Sequence, residues 1–126
     1  MPKKIITPSN VHAARGYSHA IRVGNTIYVS GQIGLAENGE LAPGGFEGQA
    51  RQALENLKRV LEAAGATIRD IVKLNTYVKN MEDMTGYREL RRTYFADHYP
   101  ASTLVQIVAL ARPDLLIEIE AIAVVD

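Results

Sequence analysis

The chain has 126 residues, 14 Lys plus Arg against 14 Asp plus Glu, and no cysteine. Its formal net charge of zero supplies no overall field for nucleic acid or a membrane surface. Without thiols there is no disulfide framework, thiolate nucleophile or cysteine-ligated zinc. The length suits one compact domain, 1–126, able to bury roughly two-thirds of its extended-chain surface. The N-terminus Met1-Pro2-Lys3-Lys4 lacks an apolar signal core and no run reaches membrane-spanning length, so the expectation is a cytoplasmic protein.

Along the chain, Lys4–Ile6 reads as a short edge strand closed by Pro8, and residues 9–18 as loop. His19–Val23 and Thr26–Ile33 form a hairpin around the Gly24-Asn25 turn. In the second strand Ile27, Val29 and Ile33 share one face, and Tyr28, Ser30 and Gln32 the other. Residues 34–45, rich in glycine, read as loop. Phe46–Ala64 is a helix with Ala50, Ala53, Leu54, Leu57, Leu61 and Ala64 at helical spacing and Gly65 as its C-terminal glycine. Ile71–Lys79 reads as a strand with Val72, Leu74, Thr76 and Val78 on one side. A second helix begins near Met81 or Met84 and runs to His98, with Tyr87, Leu90, Tyr94 and Phe95 as its buried stripe and Pro100 beyond its end. The strands from Pro100 to Val105 and from Leu116 to Val124 follow, separated by Ala111-Arg112-Pro113-Asp114.

The order β-β-β-α-β-α-β-β gives a two-layer α+β domain, a mixed sheet with two helices on one face. The other face then carries Tyr28, Ser30, Gln32, Lys73, Asn75, Tyr77, Leu104, Gln106, Leu116, Glu118, Glu120, Ile122 and Val124. That mixture is too apolar for water and too polar for a core, which points to a homo-oligomer with sheets packed inward.

Few residues read as chemistry by themselves. His12, His19 and His98 are scattered, with no partner at metal-ligand spacing, so no metal is expected. Gly31–Gly34 lacks the lysine and helix of a phosphate loop. Ser30-Gly31 lacks a nucleophile elbow, and its plain reading is a strand serine followed by a bulge glycine. The basic run Arg88–Arg92 reads as an exposed helix face. Glu118 and Glu120, two residues apart, share one strand face. Such charges are ordinarily solvated, but this face would bury at least one, and a buried carboxylate must be paired or shifted in pKa.

Read together, Gly16-Tyr17, Val29-Ser30-Gly31-Gln32-Ile33, Gln49–Leu57, Ala63-Ala64-Gly65, Asp70–Lys73, Pro100-Ala101 and Ile117–Val124 resemble the RidA/YjgF family across nearly the whole chain. The resemblance implies a chorismate-mutase-like fold and a homotrimer with ligand sites in clefts between subunits. It also implies cofactor-independent hydrolysis of reactive imines and enamines to a carbonyl product and ammonia. By the same resemblance Tyr17, Ser30 and Gly31 line the pocket and Glu120 positions the attacking water. One position departs. Deaminating members carry a carboxylate-gripping arginine after Pro-Ala, and here that residue is Ser102. Loss of a charge-assisted bond of about 1.5–3 kcal/mol weakens binding about ten- to a hundredfold. Arg88, where many members carry a pocket asparagine, is the first candidate to replace it, and Arg112 a weaker one. The resulting expectation is an imine deaminase with altered anchoring. Its alternative is a non-catalytic ligand-binding, chaperone-like or regulatory trimer; RNA cleavage, attributed to some members, is disfavoured by the charge balance.

Overall fold

A computed structural model describes all residues, 1–126. The strands are β1 (Lys3–Ile6), β2 (Ala20–Val23), β3 (Thr26–Ile33), β4 (Ile71–Val78), β5 (Ala101–Gln106) and β6 (Ile117–Val124). The helices are α1 (Gly45–Ala63) and α2 (Met84–Phe95), and 3-10 turns at Ile68–Asp70 and Met81–Asp83 lead into β4 and α2. The fold is α+β: one sheet of order β1-β2-β3-β6-β4-β5 with both helices packed on one face. Every strand pair is antiparallel except β4–β5. A parallel pair needs a long crossover, and α2 supplies it. No helix is long and apolar enough to cross a membrane.

The core lies between the sheet and α1. Ile27, Val29, Leu74, Val78, Ile117, Ile119, Ala121 and Ala123 meet Ala50, Leu54, Leu57, Val60 and Leu61, with Tyr87, Leu90 and Phe95 of α2 closing one side. The α1 terminus is a Schellman turn. Gly65 adopts φ 86°, its N–H donates to the Glu62 carbonyl at 3.1 Å, and Ala66 N–H donates to the Leu61 carbonyl at 2.8 Å. Arg22 reaches from β2 to the Ala64 carbonyl at 2.7 Å, placing a cation where α1's dipole is negative. The second helix stops at Phe95, short of the expected His98. Ala96 turns the chain at φ 50°, and the His98 ring instead bonds the Ile71 carbonyl at 2.8 Å.

Three face assignments need correction. The β3–β6 register shifts between Val29 and Gln32, so Ser30-Gly31 is a bulge. An inserted residue reverses the alternation beyond it. Gln32 therefore enters the core at 0% exposure, and Ile33 moves to the uncovered face opposite Glu118. A second shift between Ile71 and Lys73 leaves Val72 47% exposed and puts Ile71 in the core. On β5, parallel pairing sets Ser102, Leu104 and Gln106 beside Leu74, Thr76 and Val78, on the helix side. Leu104 packs against the core instead of facing away from it.

The face without helices keeps a hydrophobic row. Ile5, Ile21, Tyr28 and Ile122 stand side by side across β1, β2, β3 and β6.

Candidate functional site

The bulge is held from behind by buried amides and imidazoles. The Gln32 Nε2 group donates to the Ser30 carbonyl at 3.1 Å and contacts His19 Nδ1 at 3.1 Å. His19 Nε2 lies 2.6 Å from the His12 carbonyl. A neutral His19 with its proton on Nε2 satisfies both contacts, accepting from Gln32 and donating to His12. From the other side, Ser30 N–H donates to the His19 carbonyl at 2.9 Å and the Ser30 hydroxyl to the Ser18 carbonyl at 2.5 Å. One network thus fixes both the bulge and the 12–19 loop. Tyr17 stands edge-on to the His19 ring at 5.8 Å, with nearly half of its surface exposed.

Glu118 lies against the bulge. A Cβ at residue 31 would sit 2.5 Å from the Glu118 carboxyl carbon, so only glycine permits this approach. Burial first, and the negative charge of Glu120 second, push the Glu118 carboxyl above the ordinary carboxylate range. Burial first and the Glu118 charge second likewise raise the Tyr17 phenol.

Glu120 is differently placed. Its Oε1 accepts from the Tyr77 hydroxyl at 2.6 Å and from Asn75 Nδ2 at 3.1 Å, both on neighbouring β4. That bond is the first cause of the raised Tyr77 phenol. Two fixed donors make Glu120 a held charge beside a perturbed one.

A cavity of about 470 Å³ adjoins this cluster, lined by Tyr17 and Ile33 together with His12, Arg15, Asn38 and Arg112. Its walls are tied to α1 by buried amides. Asn56 Nδ2 donates to the Ile33 and Leu35 carbonyls at 3.0 and 2.9 Å. The Gln49 side chain donates to the Asp114 carbonyl at 2.9 Å and accepts from Leu116 N–H at 2.8 Å. Asp114 in turn grips Arg112 through two bonds of 2.7 and 3.1 Å.

Within one protomer, the expected site residues divide among several places. Tyr17, Ser30 and Gly31 come together at the bulge, and Arg112 joins the adjoining cavity through Tyr17. Glu120 lies on the same uncovered face but bonds toward β4. Arg88 lies in a separate groove on α2 with Arg91, Arg92 and Tyr99. Ser102 is exposed on the helix side of edge strand β5. The sequence reading weighed Glu118 but gave the role to Glu120, set Gln32 on the uncovered face, and passed over Arg15. For the first two a signal existed: a bulge at Ser30-Gly31, carried through the alternation, turns Gln32 inward and sets Gly31 beside the carboxylate strand.

The family model described as endoribonuclease L-PSP matches residues 7–125. Mouse 2-iminobutanoate/2-iminopropanoate deaminase is 43% identical over 124 residues, 97% of this chain and 91% of that protein. A RutC family protein of Pyrococcus horikoshii is 41% identical over 123 residues, 96% of this chain and 97% of that protein. Among solved structures, RidA from an Antarctic Psychrobacter superposes with a TM-score of 0.92 at 38% identity, covering 97% of this chain and 99% of that one. Escherichia coli TdcF, crystallised with bound serine, gives 0.91 at 34% identity, covering 98% and 99%.

Proposed function

The chain belongs to the endoribonuclease L-PSP family, the YjgF/RidA family, and we propose that it hydrolyses reactive 2-imino acids to 2-keto acids and ammonia. The observation that carries this reading is Glu118, a carboxyl held above its ordinary range against the Gly31 bulge and beside Tyr17. An acid–base group works best when its pKa is drawn toward the working pH.

A protonated imine is electrophilic at carbon. As water attacks, the Glu118 carboxylate takes its proton, the C–O bond forms and the C=N π pair moves to nitrogen. The protonated Glu118 then gives its proton to the amine of the carbinolamine. The C–N bond breaks and ammonia leaves as the hydroxyl gives its proton to the regenerated Glu118 carboxylate and the carbonyl forms; that proton then passes to ammonia, which departs as ammonium. Each proton borrowed is returned. In this assignment the water-positioning role expected of Glu120 passes to Glu118. Burial raises the Glu118 pKa first, and Glu120, fixed by Tyr77 and Asn75, raises it further.

We also propose that the cleft is completed by assembly as a homotrimer. The row Ile5, Ile21, Tyr28 and Ile122 is an apolar surface suited to burial against further copies. In such an assembly Ser102 and Arg88 of one protomer enter the site from its edge. Ser102 cannot form a two-pronged ion pair, so anchoring of the substrate carboxylate is altered.

The zero formal charge gives no support to a nuclease reading. A second reading, a ligand binder without turnover, is favoured by Ser102 and by the serine bound in TdcF. The deciding assay generates imino acids in place with an amino-acid oxidase and follows ammonia and keto acid. Release faster than in buffer supports the deaminase; ligand binding with no release supports the binder.

A further inference from the structure

The cavity beside Tyr17 carries features that the hydrolytic step leaves unused. Arg15 projects from the 12–19 loop and forms neither an ion pair nor a side-chain hydrogen bond within the protomer. Arg112 faces the same space from the β5–β6 connection, its guanidinium oriented by Asp114, which the buried Gln49 fixes through its carbonyl. Glu37 is the one carboxylate among the lining residues, and it lies at the exposed rim. His12 also lines the cavity. It is 4% exposed, and its buried ring nitrogens have only the Leu35 backbone as a polar neighbour, short of a well-formed hydrogen bond. Its nitrogens are closed off from the cavity, so His12 shapes the wall and leaves recognition to the two guanidinium groups. Ile33, Leu35 and the Tyr17 ring form an apolar part of the wall, with Asn38 beside Glu37 on the polar side.

We propose that this cavity is the substrate anchor. Arg15, the unpaired guanidinium, takes the carboxylate that Ser102 does not grip, and Arg112, whose fork is held by Asp114, adds its remaining Nη donor at the edge. The apolar wall takes the side chain, which selects 2-imino acids with a bulky aliphatic or aromatic group over the smallest ones. The volume of about 470 Å³ is in the range of a small-metabolite site. A guanidinium fork matches a carboxylate through paired, charge-assisted bonds. Tyr17 belongs both to this wall and to the Glu118 cluster, so a carboxylate anchored here lies next to the acid–base group. This anchor rests on the deaminase reading for its substrate and on the cavity alone for its ligand chemistry.

The test separates the two. Binding of phenylpyruvate, a stable keto acid, is measured calorimetrically with wild type, Arg15→Gln, Arg15→Lys and Arg112→Gln, and turnover of the corresponding imino acid is measured alongside. Arg15→Gln is expected to weaken binding about ten- to a hundredfold, Arg112→Gln less, with Arg15→Lys recovering part of the loss. In turnover the loss appears in KM, with kcat changed less than about threefold. Pyruvate is expected to bind more weakly than phenylpyruvate. If Arg15→Gln binds phenylpyruvate as wild type does, the anchor is wrong, whatever the turnover. If binding is lost in Arg15→Gln while wild type releases no ammonia, the anchor stands and the deaminase reading falls.

Discussion

Replacing Gln32 by leucine probes the buried amide that holds the bulge. The substitution orphans two acceptors, the buried His19 Nδ1 and the half-buried Ser30 carbonyl. Each such loss costs about 1–3 kcal/mol. Part is recovered, because Gln32 Oε1 is itself buried without a partner and leucine removes it. The net loss is then about 1–3 kcal/mol. At about 3–4 °C per kcal/mol for a chain of this size, the midpoint falls by about 3–12 °C. Calorimetric unfolding reads that shift, and nitrogen-15 imidazole spectra read its cause. Wild type should show His19 neutral and protonated on Nε2, and Gln32→Leu should lose that single tautomer. A midpoint within about a degree of wild type, or a wild-type His19 protonated on Nδ1, would refute the reasoning.

Other substitutions separate stability from chemistry. In Gly31→Ala the new methyl meets the Glu118 carboxyl carbon and displaces it. A shift of about 1 Å at a reacting group costs about a hundredfold in rate, so kcat should fall that far while the fold survives by circular dichroism. For Glu118 the folded-state pKa lies above the unfolded one. Its contribution to stability is full below the ordinary carboxylate range and is lost as pH rises through the raised value. Glu118→Gln removes that titration, so its thermal midpoint should gain on wild type as pH rises from the ordinary carboxylate range through the raised value. A constant difference would show that Glu118 carries no perturbed titration. Tyr28→Asp places a charge in the row formed with Ile21 and Ile122 and should turn a trimer into monomers by light scattering. An unchanged mass would remove this face from the interface.

The periodic parts of the fold were legible because a repeating pattern sums many weak preferences. Helix α1 declares itself through Ala50, Leu54, Leu57 and Leu61, and ends where Gly65 adopts the left-handed turn that glycine favours. What the pattern could not carry was the effect of one residue out of step. The bulge at Ser30-Gly31 was readable from its glycine, yet its consequence, Gln32 inward and Ile33 outward, depends on pairing with β6. The parallel register that turns Leu104 toward the core is likewise set by the α2 crossover and not by β5 itself. In the candidate site, Tyr17 and Gly31 were named through the family resemblance, and the fold brings both beside Glu118. The two glutamates were not separable by sequence, since equal spacing on one strand says nothing of what stands across from each. Gly31 and Tyr17 meet Glu118, whereas Tyr77 and Asn75 meet Glu120. Arg15 lies in a loop without periodicity, and only the fold brings it to the same cavity as Arg112.

Turnover of an oxidase-generated imino acid by Glu118→Gln and Glu120→Gln, measured side by side, tests the acid–base assignment most directly. Removal of a general acid–base group costs about 10²–10⁴-fold, and that loss is expected in kcat for Glu118→Gln, against less than about tenfold for Glu120→Gln. The reverse order, or an active Glu118→Gln enzyme, contradicts the account.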